Sequence, residues 1–335
     1  MFAAWYDTPG PARDVLRTGH LPDPAPRTGE VLVRLKASGI NPSDVKRRAA
    51  WGKLRDLDGR TIPHSDGAGV IEAVGDGVNA ARIGERVWIR NALGGYGKGG
   101  RREGTAAELI AIDAANTAPL PAGTDFAVGA CLGVPALTAH RSVFADGSVE
   151  GQFILVAGGA GAVAHHAVQM ARLGGARVAA TAGNEDNIAV CKDAGAELAL
   201  NYKSDDIVEQ ILHWTNGKGV ERIVEVDFAA NIERDAAMLA DNGTIACYSS
   251  TSNPQPSFPY YPLAFKGANL RIIQGFLLPD EARRAGIADI ANWLERNELA
   301  TRIDGRFALS DIAAAHERVE SGRARGNVVI DLTMA

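Results

Sequence analysis

Three small residues stand at regular spacing in the stretch FILVAGGAGAVAHHAVQMA, where Gly158, Gly161 and Ala164 join an apolar run to a helical pattern. Glycine at the first two positions permits a tight turn and a close backbone approach to phosphate, and a small third residue lets the helix pack against the strand. The helix N-terminus then offers unpaired N–H groups to an anion. The spacing predicts a dinucleotide pyrophosphate site with Ala162 in place of a glycine. The alternative is a glycine-rich turn that binds nothing.

The end of the next strand pattern, ARVAATAG, bears on which dinucleotide fits. NAD enzymes usually place an Asp or Glu there to bind the ribose 2′-hydroxyl. This chain has uncharged residues instead: Thr181, Ala182, Gly183 and Asn184. The first carboxylate is Glu185, and the strand after that ends in Tyr202 and Lys203, which are expected to contact a 2′-phosphate. The pattern therefore favours NADPH over NADH, and the alternative for Lys203 is a solvated surface lysine.

The rest of the pattern indicates which elements position these residues. A chain of 335 residues is longer than one core usually organises, so two domains are expected. From Val31 to about Ala118, short β-type runs separated by Gly, Pro and Asp predict a compact, mostly antiparallel β region. Beyond it, apolar strands alternate with helical patterns, which predicts a doubly wound parallel sheet. The tail predicts one amphipathic helix and a strand that returns to the β region.

Composition excludes several classes of function. The formal net charge is −5 and no basic face is evident, which argues against a nucleic-acid partner. No apolar run approaches about 18 residues and the N-terminus lacks a basic start, so we expect a cytoplasmic protein without a membrane span. Cys131, Cys191 and Cys247 lie far apart, which excludes a disulfide framework and a four-cysteine zinc lobe.

Ordered motifs extend along essentially the whole chain: GEVLVRLKASGINPSDV, DGAGVIEAVGDGV, GERVW, GVPALTAHRSV, the glycine turn, AGAELALNYK and ARGNVVIDL. Together they resemble the zinc-independent quinone oxidoreductase branch of the medium-chain dehydrogenase/reductase superfamily, the group that includes ζ-crystallin. The resemblance implies an α/β protein with a GroES-like β-rich catalytic domain (1–124 and 278–335) and a Rossmann doubly wound parallel-sheet cofactor domain (125–277). It also implies a homodimer, in which the strand NLRIIQGFLL pairs across a two-fold axis.

The resemblance also raises the question of a metal at the segment IPHSDGAGVIEAVG. In zinc-dependent relatives the first ligand is a Cys at the position of Asn41, and the third falls near Val134. Their GHExxG motif places His64 on its first Gly, Ser65 on its His and Asp66 on its Glu. Asn, Ser and Val cannot supply the thiolates and imidazole that zinc prefers, so we expect no metal. His64 is then interpreted as a loop residue and Asp66 as a satisfied polar group near the cleft.

Without zinc as a Lewis acid, the chain suits an acceptor that already takes electrons. The resemblance implies NADPH-dependent reduction of quinones, a small-molecule substrate. The alternatives are reduction of 2-alkenals or other enones, and a non-catalytic NADPH-binding redox sensor. The candidate catalytic residues are Asn41, Asp66 and Lys46, although the KRR run of Lys46 is typical of a solvated face. The candidate cofactor-binding residues are Asn41, Thr138, Gly158, Ala160, Gly161, Ala162, Val163, Thr181, Gly183, Asn184, Tyr202, Lys203, Ser249, Phe276 and Asn327.

One further segment, NALGGYGKGGRREGTAAEL, is rich in glycine and basic residues. We interpret residues 94–104 as a mobile loop beside the cleft, with Tyr96 as its only large aromatic residue. The alternative is a surface excursion without a role in binding. The identity of the acceptor stays open at this point.

Overall fold

The computed structural model describes residues 1–50, 59–94 and 101–334. The chain divides into two compact units, Met1–Pro135 with Ile287–Ala335, and Ala136–Gly286. We call the first the β-rich unit and the second the parallel-sheet unit. Tyr96 and residues 95–100 of the glycine-rich loop lie outside the described residues. The role of that loop and the domain boundaries at 124 and 278 therefore stay predictions.

Strands dominate the first third of the chain, and strands and helices alternate in its middle. The strands are β1 (Phe2–Trp5), β2 (Arg17–His20), β3 (Glu30–Ile40), β4 (Asp66–Val74), β5 (Arg86–Ile89), β6 (Leu109–Asp113), β7 (Thr117–Pro119), β8 (Phe153–Val156), β9 (Arg177–Ala182), β10 (Leu198–Asn201), β11 (Val220–Glu225), β12 (Leu239–Cys247), β13 (Asn269–Ile272), β14 (Ile303–Phe307) and β15 (Asn327–Asp331). The helices are α1 (Ala12–Val15), α2 (Pro42–Arg48), α3 (Phe126–Gly129), α4 (Leu137–Phe144), α5 (Ala162–Leu173), α6 (Glu185–Asp193), α7 (Ile207–Trp214), α8 (Phe228–Met238), α9 (Tyr260–Ala264), α10 (Asp280–Glu295) and α11 (Ile312–Glu320). Across the described ranges, none of the helices is both long and apolar enough to cross a membrane.

The parallel-sheet unit contains one sheet with the strand order β10-β9-β8-β11-β12-β13, and every neighbouring pair is parallel. Numbered from β8, this is the order 3-2-1-4-5-6 of the dinucleotide-binding fold, which confirms the predicted doubly wound sheet. Strand β8 is buried along nearly its whole length, as expected for a central strand in such a sheet. The carboxyl ends of β8 and β11 flank the point where the strand order reverses. Strand β13 lies at the edge of the sheet.

The β-rich unit contains a mostly antiparallel sheet with the order β14-β15-β3-β4-β5-β7, and β6 also pairs with β3. In β3, the side chains from Val31 to Ala37 alternate between buried and half-buried, because successive side chains of a strand point to opposite faces. Strand β15 pairs with β3, with Val328 opposite Ile40. The predicted return of the chain's tail to the β region is therefore confirmed.

The prediction that the KRR run forms a solvated face is wrong. Arg47 and Arg48 are buried at the end of α2. The Arg47 guanidinium donates to the carbonyl oxygens of Leu93 (3.2 Å) and Arg101 (3.5 Å), and Arg48 forms an ion pair with Glu320. A guanidinium carries several donors in a fixed fork, so it can be buried where carbonyls and a carboxylate surround it.

Candidate active site

The turn after β8 has the backbone that the glycine spacing predicts. Gly158 has φ +67°, a left-handed conformation that favours glycine. Its N–H donates to the Thr181 hydroxyl (3.2 Å), and the N–H of Gly159 donates to the Thr181 carbonyl (2.9 Å). Gly161 is the N-cap of α5, which begins at Ala162, and the first turn of a helix leaves N–H groups without intrahelical acceptors. The turn thus presents free backbone donors at a helix N-terminus, a suitable cradle for phosphate.

The close approach between helix and strand involves a glycine that the sequence analysis missed. A Cβ on Gly159 would lie 2.7 Å from Cys191 Sγ and 2.9 Å from Ala180 Cβ, so a larger residue does not fit. The prediction assigned close packing to Ala164, which is buried in α5. In the sequence, the second of the two adjacent glycines in AGGAG was the signal for this close packing. The other predicted residues of the turn stand around it: Ala160, Ala162 and Val163.

The ends of β9 and β10 bring together two of the predicted residues for the 2′ position. A Cβ on Gly183 would lie 2.6 Å from the Tyr202 hydroxyl oxygen, so that hydroxyl rests against the glycine backbone. Lys203 is exposed, and its Nζ lies 6.0 Å from the centre of the Tyr202 ring. One carboxylate is near, because Glu185 Oε1 accepts from Asn201 Nδ2 at 3.4 Å. The strand ends therefore bring together a glycine backbone, a hydroxyl and a cation, with one acidic neighbour.

The remaining predicted cofactor residues of the parallel-sheet unit have diverse environments. The Asn184 side chain caps α6 by accepting a backbone N–H. Thr138 Oγ1 would lie 2.5 Å from a Cβ on Gly275, the residue before the half-buried Phe276. Ser249 follows β12, and its hydroxyl shares a hydrogen bond of 2.9 Å with a neighbouring threonine. The proposed cofactor contacts of these residues stay predictions.

Asp66, at the start of β4, is the central polar residue of the β-rich unit. Its Oδ2 accepts from Asn41 Nδ2 (2.8 Å) and from the N–H of Val134 (2.7 Å), whereas its Oδ1 has no partner among the described residues. Burial raises the pKa of Asp66 to about 8, despite the two donors. Burial therefore favours the protonated carboxyl, and Oδ1 is the oxygen that accepts no hydrogen bond among the described residues. The interpretation of Asp66 as a satisfied polar group holds for Oδ2 alone.

His64 lies in a loop, as predicted, but it is fully buried. Its Nδ1 is 2.8 Å from the Ser38 hydroxyl oxygen, and its Nε2 is 2.9 Å from Nε2 of His316 on α11. Burial lowers the pKa of His64 to about 3, so the ring is neutral at physiological pH. His316 was not singled out from the sequence, because nothing local distinguishes it from other helical residues.

Two further candidate residues belong to the β-rich unit. Asn327, at the start of β15, is buried, and its Nδ2 donates to the Arg302 carbonyl at 3.0 Å. That contact gives Asn327 a structural role in the β14–β15 pair. Lys46 is half-buried on α2. Contact of either residue with cofactor or substrate stays a prediction.

Comparison with known proteins places these features in a family. The family model "Alcohol dehydrogenase GroES-like domain" matches residues 27–122, and "Zinc-binding dehydrogenase" matches residues 162–293. A quinone oxidoreductase of Rattus norvegicus is 34% identical over 88% of this chain and 87% of its own length. The chain belongs to the quinone oxidoreductase branch of the medium-chain dehydrogenase/reductase superfamily.

Solved structures of this superfamily are similar over nearly the whole chain. One, described as an NAD-dependent alcohol dehydrogenase, has a TM-score of 0.87 and 29% identity, with 99% of this chain and 100% of that chain covered. A mycobacterial protein solved with NADPH has a TM-score of 0.86 and 28% identity, with 98% and 99% covered. The two-domain fold of the superfamily, with GroES-like and Rossmann parts, is thus confirmed. The two descriptions name different cofactors.

The second family model is named for zinc binding, but the residues at the former ligand positions of this chain do not fit a zinc ion. Asn41 donates its side-chain amide to Asp66, the Ser65 hydroxyl donates to Asp44 Oδ1 (3.0 Å), and Val134 contributes only a backbone N–H. None of the three is a thiolate or imidazole, the ligands that zinc prefers. Over the described ranges, no group of three or more His, Cys, Asp or Glu residues is placed to hold a metal ion.

Proposed function

We propose that this chain is an NADPH-dependent reductase of quinones. The end of β9 carries the proposal, because Gly183, the Tyr202 hydroxyl and Lys203 stand together there without a carboxylate at Ala182. A 2′-phosphate suits such a set of groups, whereas NADH enzymes usually place an acidic residue there. The name of the rat relative and the NADPH of the mycobacterial structure support the proposal.

When bound, NADPH supplies the hydride, which with one proton converts a quinone to a hydroquinone. The glycine turn would hold the pyrophosphate at the start of α5. Asn41 would hold the nicotinamide ribose, and its side-chain amide is fixed by the hydrogen bond to Asp66. Burial raises the pKa of Asp66 and so favours its neutral form, and Lys46 is the candidate for contact with the acceptor. An acceptor that already takes electrons needs no Lewis acid, which agrees with a donor set unsuited to zinc.

Steady-state oxidation of NADPH tests the substrate class. The acceptors are para-benzoquinone, phenanthrenequinone and a 2-alkenal, compared by kcat/KM. We expect the quinones to have the higher values. A preference for the 2-alkenal would indicate an enone reductase, and NADPH binding without turnover on any acceptor would indicate a redox sensor.

Lys203→Ala tests the cofactor. Loss of one charge-assisted hydrogen bond to the 2′-phosphate costs about 1.5 kcal/mol, which is roughly tenfold in kcat/KM for NADPH. NADH lacks that phosphate, so its kcat/KM should not change. Lys218→Ala, which removes another exposed lysine of the same unit, is the matched control at one ionic strength. If Lys203→Ala and the control give the same NADPH-to-NADH ratio, Lys203 is a solvated surface lysine.

A homodimer is part of the proposal. Strand β13 is an edge strand that presents Ile272 (78% exposed) and Leu270 (41% exposed), and Leu277 nearby is 78% exposed. Exposed apolar edges are usually paired or covered, so we propose that two copies join β13 to β13 in a continuous sheet. A cytoplasmic location and the division at residues 124 and 278 complete the proposal.

A further inference from the structure

His64 has a backbone conformation that is unusual for its residue type. Its φ is +77°, in the left-handed region that favours glycine. The zinc-dependent relatives have the glycine of GHExxG at this position. A side chain with a Cβ is strained there, and such strain persists only where the surrounding contacts determine the conformation. The contacts of the His64 imidazole therefore indicate what holds the segment in place.

The hydrogen bonds around His64 have only one consistent direction. The Thr105 hydroxyl donates to the Asp66 carbonyl, because a carbonyl oxygen has no hydrogen to give. The Thr105 hydrogen is then used, so the Ser38 hydroxyl donates to Thr105 Oγ1 at 2.7 Å. It follows that His64 Nδ1–H donates to Ser38 Oγ at 2.8 Å. A neutral His64 then has its lone pair on Nε2, which must accept from His316 Nε2–H at 2.9 Å.

This series of hydrogen bonds fixes the tautomers of both histidines. His64 carries its hydrogen on Nδ1 and His316 carries its hydrogen on Nε2. The rings meet edge to edge, since their centres are 5.1 Å apart and their nearest nitrogens 2.9 Å apart. His316 Nδ1 retains a buried lone pair, with no partner found in the described part of the chain.

The side chains of Ser65 and Asp66, the two residues after His64, both form hydrogen bonds. The Ser65 hydroxyl donates to Asp44 Oδ1 at 3.0 Å, and Asp66 Oδ2 accepts from Asn41 Nδ2 at 2.8 Å. Asp44 Oδ2 in turn accepts the backbone N–H of Asn41 at 2.9 Å. Asp66 therefore holds the Asn41 side-chain amide directly, and Ser65 holds the Asn41 backbone N–H through Asp44.

We propose that the His64–His316 pair is a positioning element, which ties α11 to residues 64–66 and so fixes the Asn41 side chain for hydride transfer. The inference rests on the proposed function for the part that Asn41 plays at the nicotinamide. His64 and His316 are positioning residues, because they act through Asp66 and Asn41 and not by contact with the reacting atoms.

The direction of the hydrogen bonds is tested by NMR on the full chain labelled with ¹⁵N-histidine. Two-bond and three-bond couplings from ring protons to nitrogens distinguish the tautomers. We expect the hydrogen on Nδ1 of His64 and on Nε2 of His316. The opposite tautomer of His64 would overturn the proposal, because Ser38 would then have to donate to His64 and could not donate to Thr105.

Kinetics with three variants test the positioning role. His64→Gly suits the local backbone, and we expect kcat for the quinone to fall about tenfold or more while the NADPH Kd changes less than about twofold. His316→Phe should have the same effect, and the double variant should be no worse than either single one. His316→Gln, whose amide N–H can replace Nε2–H, should restore most of kcat. Unchanged kcat in His64→Gly, or losses that multiply in the double variant, would overturn the proposal.

A second readout separates this inference from the proposed function. The side-chain amide protons of Asn41 should exchange slowly in the wild type, because one is donated to buried Asp66, and faster in His64→Gly. If no quinone is reduced by the wild type, the proposed function is wrong, and this exchange rate still decides whether the pair fixes Asn41. If quinones are reduced but the rate is equal in the two proteins, only the positioning role is wrong.

Discussion

Removal of the buried His64 imidazole should make the free energy of unfolding less sensitive to acid. An unfolded histidine has its usual pKa of 6.5, whereas burial lowers the pKa of folded His64 to about 3. Above 6.5 neither state binds the proton, so the contribution of neutral His64 is fully present. As the pH falls from 6.5 towards 3, the unfolded chain binds a proton that the folded chain does not, and the free energy of unfolding falls.

The magnitude follows from the same two values. Each buried neutral histidine lowers the free energy of unfolding by about 1.4 kcal/mol for every pH unit within its window, or on the order of 5 kcal/mol over the full range for His64. Burial also lowers the pKa of His316, and the neighbouring His64 ring and the Arg48 guanidinium act in the same direction. His64→Gly should therefore reduce the acid slope by about 1.4 kcal/mol per pH unit, and His64→Gly with His316→Phe by up to about twice that.

Buried carboxyls give the free energy of unfolding the opposite dependence on pH. Each variant is therefore compared with the wild type, which contains the same carboxyls. Burial raises the pKa of Asp66 to about 8 and of Asp44 to about 6. Their contribution to stability is fully present below the unfolded value of 3.8 and is lost as the pH rises through these folded values. Both carboxyls are present in the wild type and in the histidine variants, so their contribution appears on both sides of the comparison.

The assay is urea unfolding followed by tryptophan fluorescence, from about pH 4.5 to about pH 7.5 in small steps. The matched control is His213→Gln, which removes an exposed histidine of α7 and leaves both buried imidazoles in place. Parallel curves for wild type and His64→Gly throughout this range would refute the reasoning, because they would mean that folded His64 takes up its proton as readily as the unfolded chain does.

Three other expectations concern metal, cofactor and assembly. Exhaustive dialysis against a chelator should leave kcat/KM unchanged, and activity lost on chelation but restored by zinc would contradict this. Ala182→Asp should move the NADPH-to-NADH ratio of kcat/KM towards NADH by roughly tenfold, since a carboxylate repels phosphate; an unchanged ratio would place the 2′ position elsewhere. Light scattering at micromolar concentration should give a dimer mass for the wild type and a monomer mass for Ile272→Lys. Ile83→Lys, a change at another exposed isoleucine, should remain dimeric, and a monomeric wild type would contradict the proposed edge pairing.

Local sequence patterns predict much of this fold because its regular elements depend on short-range order. The alternation in β3, the apolar run of β8 and the glycine turn each appear within about a dozen residues. The spacing predicts a tight turn at Gly158, and its left-handed backbone is a local feature of that turn. The Gly159 contacts with Cys191 and Ala180 were not, because they depend on the packing of elements that follow along the chain.

Buried polar partners are harder to predict because they come from distant parts of the chain. His64 and His316 are 252 residues apart, and Arg48 is 272 residues from Glu320. A run such as KRR therefore has the composition of a solvated face until its long-range acceptors are known. The sequence does contain a local signal at His64, because zinc-dependent relatives have a glycine at this position and this chain has a residue with a Cβ. A left-handed backbone is expected at such a position, and a bulky residue there requires buried contacts to hold it. The sequence could thus indicate that His64 has partners, and only the fold could identify Ser38 and His316.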